Sequence, residues 1–136
     1  MIFDGTIDWI NATDLEVADL RVLLLTASYT PDESDAFVAD LTGELSGGGY
    51  ARLTLPGVTL AGPVESWYTL DAADVVFPLL ELAAGQPRYA VVYAEGDGTD
   101  AGRPLVALLD LGASAAIPRS THYTVRWPPS GIVRYA

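Results

Sequence analysis

Short stretches of alternating or continuous apolar residues run along most of this chain, and turn-forming residues separate them. The two strongest are residues 88–95 and 104–111, which have the length and the apolar content of buried strands. The whole pattern predicts eight or nine short strands, within residues 21–26, 51–55, 58–61, 64–70, 75–77, 88–95, 104–111, 122–127 and 132–135.

One segment, between Pro31 and Leu45, has helical spacing instead. Phe37, Leu41 and Leu45 recur every four residues, and the acidic residues before them suit the positive end of a helix. The sequence therefore predicts one helix at about residues 33–42, capped by Asp32 or Ser34, with Gly43 as an alternative early end. Parallel βαβ units need several helices, so we expect a mainly β fold, an antiparallel sandwich or small barrel.

The chain of 136 residues is long enough for one domain, and half of its residues are hydrophobic, which is enough for a substantial core. No linker or internal repeat divides it. Residues 1–14 are mixed in character, with Trp9 and Ile10 among acidic residues. We expect a single β-rich domain, in which residues 1–14 form an N-terminal anchoring segment.

Charge and composition exclude several classes of function. Eighteen acidic residues oppose seven arginines, there is no lysine, and the net charge of −11 disfavours binding to nucleic acids and anionic membranes. The absence of cysteine excludes disulfides, thiolate catalysis and zinc sites built on sulfur. The longest aliphatic run, Val22–Leu25, is too short to cross a bilayer, and no signal peptide is recognisable. These features predict a soluble chain without a secretory signal.

Three loops have residues that occur in ligand sites, but each matches a turn better. The glycines at 47–49 lack the spacing and the Lys-Ser/Thr ending of a phosphate loop. Asp97 and Asp100 lack the further oxygen ligands of an EF-hand and are typical of a hairpin loop. The remaining acidic group, Asp32, Glu33 and Asp35, is interpreted as the first turn of the predicted helix rather than as a metal site.

His122 is the only histidine, so any His-based triad or metal site must use it. It begins a predicted strand with no oriented partner, and we interpret it as an ordinary strand residue. Ser114, between small residues, lacks the second glycine of a nucleophile elbow. Paired carboxylates of a small hydrolase stay open as an alternative, although no pair is singled out.

The aromatic residues are candidates for a sugar- or base-stacking platform. In a β protein of this size, alternating aromatic residues pack in the core more often than they form a platform. The residues concerned are Trp67, Tyr68, Tyr89, Tyr93, Tyr123 and Trp127. No constellation meets the requirements of an active site, so the sequence predicts no enzyme and no catalytic, cofactor-binding or metal-binding residues.

Ten short segments, in order along the chain, carry a resemblance to a known family. They are residues 5–9 (GTIDW), 20–25 (LRVLLL), 28–32 (SYTPD), 37–41 (FVADL), 44–52 (ELSGGGYAR), 71–75 (DAADV), 90–93 (AVVY), 104–107 (PLVA), 124–127 (TVRW) and 131–132 (GI). Together they resemble a family of small virion proteins of tailed bacteriophages. Members of that family commonly use lysine, which this chain lacks.

The resemblance implies a non-enzymatic structural component of a virion, made in the host cytoplasm and present in repeated copies or as a homo-oligomer. Its partners would be other virion proteins, either the major capsid protein or tail proteins. Capsid decoration is favoured over a tail location, because a negative surface suits an outward position away from packaged DNA. The alternatives are a minor tail protein and a tail-associated carbohydrate-binding β-sandwich that acts in host attachment.

Overall fold

The described part of this chain folds into nine strands in three antiparallel sheets. The computed structural model describes residues 1–6, 9–10, 19–64, 67–81, 84–112 and 121–135. The strands are β1 (Leu20–Leu25), β2 (Leu53–Thr54), β3 (Thr59–Val64), β4 (Trp67–Asp71), β5 (Val75–Leu80), β6 (Tyr89–Ala94), β7 (Leu105–Asp110), β8 (Thr121–Val125) and β9 (Val133–Tyr135). The described sheets do not close into a barrel, and the mainly β, sandwich-like architecture predicted from the sequence is confirmed.

The largest sheet has the strand order β2-β1-β6-β7, and the other two have the orders β3-β4-β9 and β5-β8. The two strongest predicted strands form the β6–β7 hairpin, and β1 pairs with β6 along its full length, from Leu20 opposite Ala94 to Leu25 opposite Tyr89. The middle of the largest sheet is therefore the β1–β6 pair.

Both faces of the β1–β6 pair are buried. On one face, Val22 and Val92 belong to a core that also includes residues of β4, β5, β8 and β9, so the two smaller sheets cover this face. On the opposite face, Leu23 and Val91 belong to a second core. Strands buried on both faces have continuous apolar sequences, which explains the unbroken apolar run Val22–Leu25 in β1.

Irregular chain, rather than a third layer of sheet, covers the second face. Phe3, Tyr29 and Val38 pack there, and all three side chains are almost fully buried. The N-terminal residues are fastened to the edge strand β7, where Ile2 pairs with Ala107 and the Thr6 hydroxyl donates to Val106 O at 2.6 Å. Residues 1–6 thus protect the edge of this chain's own sheet, and their predicted role as an anchor to neighbouring molecules stays a prediction.

The predicted helix at residues 33–42 is wrong. The structure has only a 3-10 turn, Val38–Asp40, in this segment. Asp32 accepts the Ser34 N–H at 2.9 Å, and Asp40 accepts the N–H groups of Ala36 and Phe37 at 2.9 and 3.0 Å. These local bonds to aspartate side chains replace the backbone bonds of a helix. The four-residue apolar spacing does not mark one helical face, because Phe37 is exposed, Leu41 packs against the second core and Leu45 lies in the first core.

The Gly62-Pro63 dipeptide was expected to separate two strands, at residues 58–61 and 64–70. Instead β3 continues through it to Val64, and β4 begins at Trp67. The pairing of β3 with β4 is irregular between Ala61 and Val64. A proline is tolerated at this position because β3 is an edge strand, where one missing N–H leaves no inner partner unpaired.

Replacement of Phe3 by alanine tests whether the N-terminal segment is part of the core. Phe3 is 1 % exposed in the second core, so Phe3→Ala should lower the free energy of unfolding by about 3 kcal/mol. Phe37 is 40 % exposed, and Phe37→Ala, as the matched control, should cost about 1 kcal/mol or less. Urea denaturation followed by tryptophan fluorescence measures both. Equal losses in the two variants would show that residues 1–6 do not seal the sheet.

Candidate functional site

The largest group of charged side chains lies where the 44–52 segment meets the β6–β7 hairpin. Arg52 is at its centre, with Nη2 2.7 Å from Glu44 Oε1 and Nη1 2.8 Å from Asp100 Oδ1. The Arg52 guanidinium also lies 5.6 Å from the ring centroid of the buried Tyr93. Hydrogen bonds from Arg52 and then Arg103 lower the pKa of Asp100 to about 2, and the bonds to Glu44 and Asp100 raise the pKa of Arg52.

Two more arginines extend this network along the hairpin. Arg103 contacts both Glu95 Oε1, at 2.6 Å, and Asp100 Oδ1, at 2.7 Å. Arg21, on β1, lies 3.2 Å from Glu95 Oε2 and 3.1 Å from Asp19 Oδ2. Each of the four carboxylates is therefore paired with at least one guanidinium.

Tyr50 connects the network to the middle of the sheet. Its hydroxyl donates to Glu44 Oε2 and accepts the Leu24 N–H at 3.2 Å. Burial, together with the bond to Glu44, raises the pKa of Tyr50. The network joins the 44–52 segment to β1 and to the β6–β7 hairpin, and we interpret its role as structural.

The glycine run at 47–49 forms a turn, as predicted, and packs tightly against another segment. Gly48 has φ +53°, and a Cβ atom there would lie 2.6 Å from Ala84 N. Gly48 O also accepts the Glu81 N–H at 2.8 Å. This close approach of two backbones requires a glycine at position 48 and accounts for that glycine without a phosphate.

The acidic side chains of the candidate loops accept hydrogen bonds from nearby residues. Asp97 Oδ1 accepts both the N–H and the hydroxyl of Thr99, at 2.9 and 2.7 Å, in the β6–β7 hairpin loop that the sequence predicted. Asp35 accepts the Tyr29 hydroxyl at 2.7 Å. Within the described residues, no group of three or more His, Asp or Glu side chains is arranged to hold a metal ion.

His122 is a strand residue, as predicted, and lies in β8 with its side chain exposed. Its Nδ1 accepts the Leu79 N–H at 3.3 Å, at a point where β5 has one extra residue relative to β8. Ser114 lies outside the described residues.

The aromatic residues divide between core and surface. Tyr89 and Tyr93 are buried in the second core, and Tyr123 and Trp127 pack against the first, so the prediction of core packing is confirmed for these four. It is wrong for Trp67, which is 41 % exposed. Sequence alternation alone could not separate this residue from the others, because only the strand order reveals that its face of β4 is uncovered.

Trp67 lies at one side of a surface cavity of about 230 Å³ on the outer face of the β3-β4-β9 sheet. The other lining residues are Thr69, Pro129, Ser130 and Arg134. The Arg134 guanidinium stacks 4.8 Å from the Trp67 ring centroid. Tyr68 follows Trp67 on the same strand and therefore projects to the opposite face, so the two do not form a coplanar platform.

Other cavities lie elsewhere on the described surface. One, of about 390 Å³, lies between the end of β1 and the start of β6 and is lined by Thr26, Ala27, Ser28, Gln86, Pro87, Arg88 and Gly112. One of the others includes the single carboxylate of Asp35, and none of these cavities brings two carboxylates together. Paired-carboxylate chemistry therefore gains no support from these cavities.

Strand β5 exposes three apolar residues on the surface: Val76, Pro78 and Leu79, which we call the β5 apolar strip. Val76 is 47 % exposed and Leu79 is 59 % exposed. Leu79 has φ +49°, a conformation that is unusual for a residue with a branched side chain. The extra residue in β5 places Pro78 and Leu79 outward in succession, where strict alternation would turn one of them inward.

No helix in the described part of the chain is long and apolar enough to span a membrane. No protein-family model matches the chain, and comparisons with curated proteins and with solved structures give no match either.

Replacement of Asp100 by asparagine tests the structural role of the ion network. The variant should unfold about 1 kcal/mol more easily at neutral pH, a modest cost because the side chain is partly exposed. The folded-state pKa of about 2 lies below the ordinary 3.8, so the carboxylate stabilises the fold above about pH 4 and loses this effect as the pH falls toward 2. The difference between wild type and variant, measured by urea denaturation, should therefore shrink over that range. The control is Asp74→Asn, outside the network, and a similar loss there would contradict the assignment.

Alanine at two neighbouring glycines tests the interpretation of the 47–49 run. Gly47 and Gly48 both have positive φ, but only at Gly48 does a new Cβ meet backbone atoms. Gly47→Ala should cost about 1 kcal/mol and Gly48→Ala clearly more, at least about 2 kcal/mol. Thermal unfolding followed by circular dichroism compares them. If the two variants are equally stable, the close approach to Ala84 does not constrain this turn.

Proposed function

We propose that this chain is a non-enzymatic structural component of a tailed-phage virion, and that it decorates the capsid surface through protein–protein contacts. The family resemblance in the sequence suggests the virion. In the structure, the β5 apolar strip supports a binding role rather than a catalytic one. This strip is exposed, whereas the charged side chains of the main network are paired with one another.

The electrostatics support an outward position on the particle. The net charge is −11, and the carboxylates of the ion network already use three of the seven arginines. A surface of this kind repels packaged DNA and gives it no basic patch to bind. We propose that contacts with a capsid lattice depend mainly on apolar side chains and backbone pairing.

The β5 apolar strip supplies such a contact. β5 is one of only two strands in its sheet, so one of its edges has no strand beside it among the described residues. Apolar side chains beside an unpaired edge favour association with another protein chain. We assign this strip to the contact with the capsid protein.

Immunogold electron microscopy of intact particles, with antibody raised against this chain, tests the location. Label over the heads is the result expected for capsid decoration, whereas label confined to tails would move the chain to the tail. Absence of the chain from purified virions by mass spectrometry would overturn the virion proposal.

Charged substitutions in the β5 apolar strip test the proposed contact. Val76→Asp and Leu79→Asp should reduce incorporation into particles at least about tenfold, because a carboxylate in an apolar interface is desolvated without a partner. Thr54→Asp, on the exposed edge strand β2, is the control and should be incorporated normally. Urea denaturation of each purified variant verifies folding. Normal incorporation of both β5 variants would show that the strip is not the contact.

The exposed Trp67 favours a second candidate, a tail-associated carbohydrate-binding module that acts in host attachment. Aromatic rings on a sheet surface bind the apolar faces of sugars, and Trp67 lies beside a cavity with two hydroxyl-bearing residues, Thr69 and Ser130. Label on tails, in the experiment above, would favour this candidate.

A further inference from the structure

We infer that the cavity between Trp67 and Arg134 binds a carboxylated sugar, such as a uronic or sialic acid residue. This rests on the carbohydrate-binding candidate for the kind of ligand, but not on a position in the virion. The new element is the acidic group of the sugar, which Arg134 would recognise.

Arg134 differs from four of the described arginines. Arg21, Arg52, Arg88 and Arg103 each form an ion pair with a carboxylate of this chain. Arg134 and Arg126 have no carboxylate within 4 Å among the described residues, but Arg134 lines the cavity and lies over the Trp67 ring, whereas Arg126 lies outside this cavity. On a strongly acidic chain, this combination makes Arg134 a specific place for an external anion.

The N–H donors of Arg134 are available to a ligand, because no carboxylate of the described residues lies within 4 Å of them. The guanidinium carbon lies over the Trp67 ring, 4.8 Å from its centroid, and the ring attracts the positive charge without supplying a carboxylate acceptor. Those donors match the two oxygens of a carboxylate. Trp67 thus orients Arg134 and, with Pro129, adds apolar surface for the sugar ring.

The β4–β9 register places the key side chains on one face of the sheet. Thr69 lies directly opposite Arg134, and Trp67 is two residues before Thr69 on the same strand. Their neighbours Leu70 and Val133 are buried in the first core. The site is therefore built on two paired strands whose other face is held by the core.

The wall that carries Pro129 and Ser130 is also fixed. Gly131 N donates to Pro128 O at 2.9 Å, and Ile132 N donates to Leu70 O at 2.8 Å, which closes a turn against β4. Gly131 has φ +90°, and a Cβ atom there would lie 2.5 Å from Thr69 Cγ2. The turn is packed directly against β4, so little ordering is needed when a ligand binds.

The charge of the chain limits the ligand to few negative groups. A dense polyanion would be repelled by the net charge of −11, and Asp71, on the same face as Thr69, adds a local negative charge. A single carboxylate beside Arg134 satisfies both conditions. An uncharged sugar, in contrast, would offer the guanidinium only neutral oxygen acceptors, which form weaker hydrogen bonds than a carboxylate.

Matched pairs of sugars test this inference by isothermal titration calorimetry and tryptophan fluorescence. We expect sialyllactose to bind at least about tenfold more tightly than lactose, or methyl glucuronide more tightly than methyl glucoside, at low salt. Added salt should reduce the preference. If neither carboxylated sugar binds at millimolar concentration, the inference is overturned.

Two charge-matched variants identify the residue responsible. Arg134→Gln should abolish the preference for the carboxylated sugar, whereas Arg126→Gln, at another exposed arginine outside the cavity, should leave it intact. Asp71→Asn should strengthen binding, because it removes a nearby like charge. Urea denaturation verifies that all three variants are folded.

The results separate this inference from the candidate function on which it rests. Equal binding of lactose and sialyllactose, unchanged in Arg134→Gln and lost in Trp67→Ala, would keep a carbohydrate-binding module and reject the role of Arg134. If Arg126→Gln and Arg134→Gln lose the preference for the carboxylated sugar equally, the preference depends on the overall charge of the protein, and the proposed site is rejected.

Discussion

The fold depends on one constraint, the burial of both faces of the β1–β6 pair. A sheet with two apolar faces needs cover on each, and a sandwich of short strands supplies only one layer of cover. The β3-β4-β9 and β5-β8 sheets cover the first face. The second face is covered by Phe3, Tyr29 and Val38, from segments without regular secondary structure. The N-terminal residues and the segment after β1 therefore belong to the core as much as the strands do.

Irregular segments can fill this role only if their backbone groups are bonded elsewhere. Two aspartate side chains supply such bonds, because Asp32 and Asp40 accept backbone N–H groups of nearby residues. The Ser34 hydroxyl and then its N–H lower the pKa of Asp32, and the N–H groups of Phe37 and Ala36 lower the pKa of Asp40. Backbone bonds from Leu105 N to Ala36 O and from Val38 N to Arg103 O then join the segment to the start of β7. The acidic composition thus contributes to the fold, beyond solubility.

Periodicity in the sequence predicted the strands well, because alternation and apolar runs report directly on burial. It failed at residues 33–42, where the spacing of Phe37, Leu41 and Leu45 imitates a helix. The acidic residues that suit a helix N-terminus also suit local turns, and the sequence alone does not decide between these two uses of the same side chains. The strand break predicted at Gly62-Pro63 is wrong for a related reason. A proline can be accommodated within an edge strand, and only the strand order shows that β3 lies at an edge.

The candidate site was out of reach of the sequence for the same physical reason. Trp67 and Arg134 are 67 positions apart in number and meet only because β4 pairs with β9, and nothing in the local pattern around either residue indicates that pairing. Composition could show that arginine is scarce, but not how the arginines are distributed. Four of them form ion pairs near the central sheet, whereas Arg134, on an outer face, has no carboxylate within 4 Å among the described residues. The sheet that carries Arg134 is held in register by the same core that the β1–β6 pair requires. Because the protein has so few cationic side chains, the position of each one decides where an anion can bind.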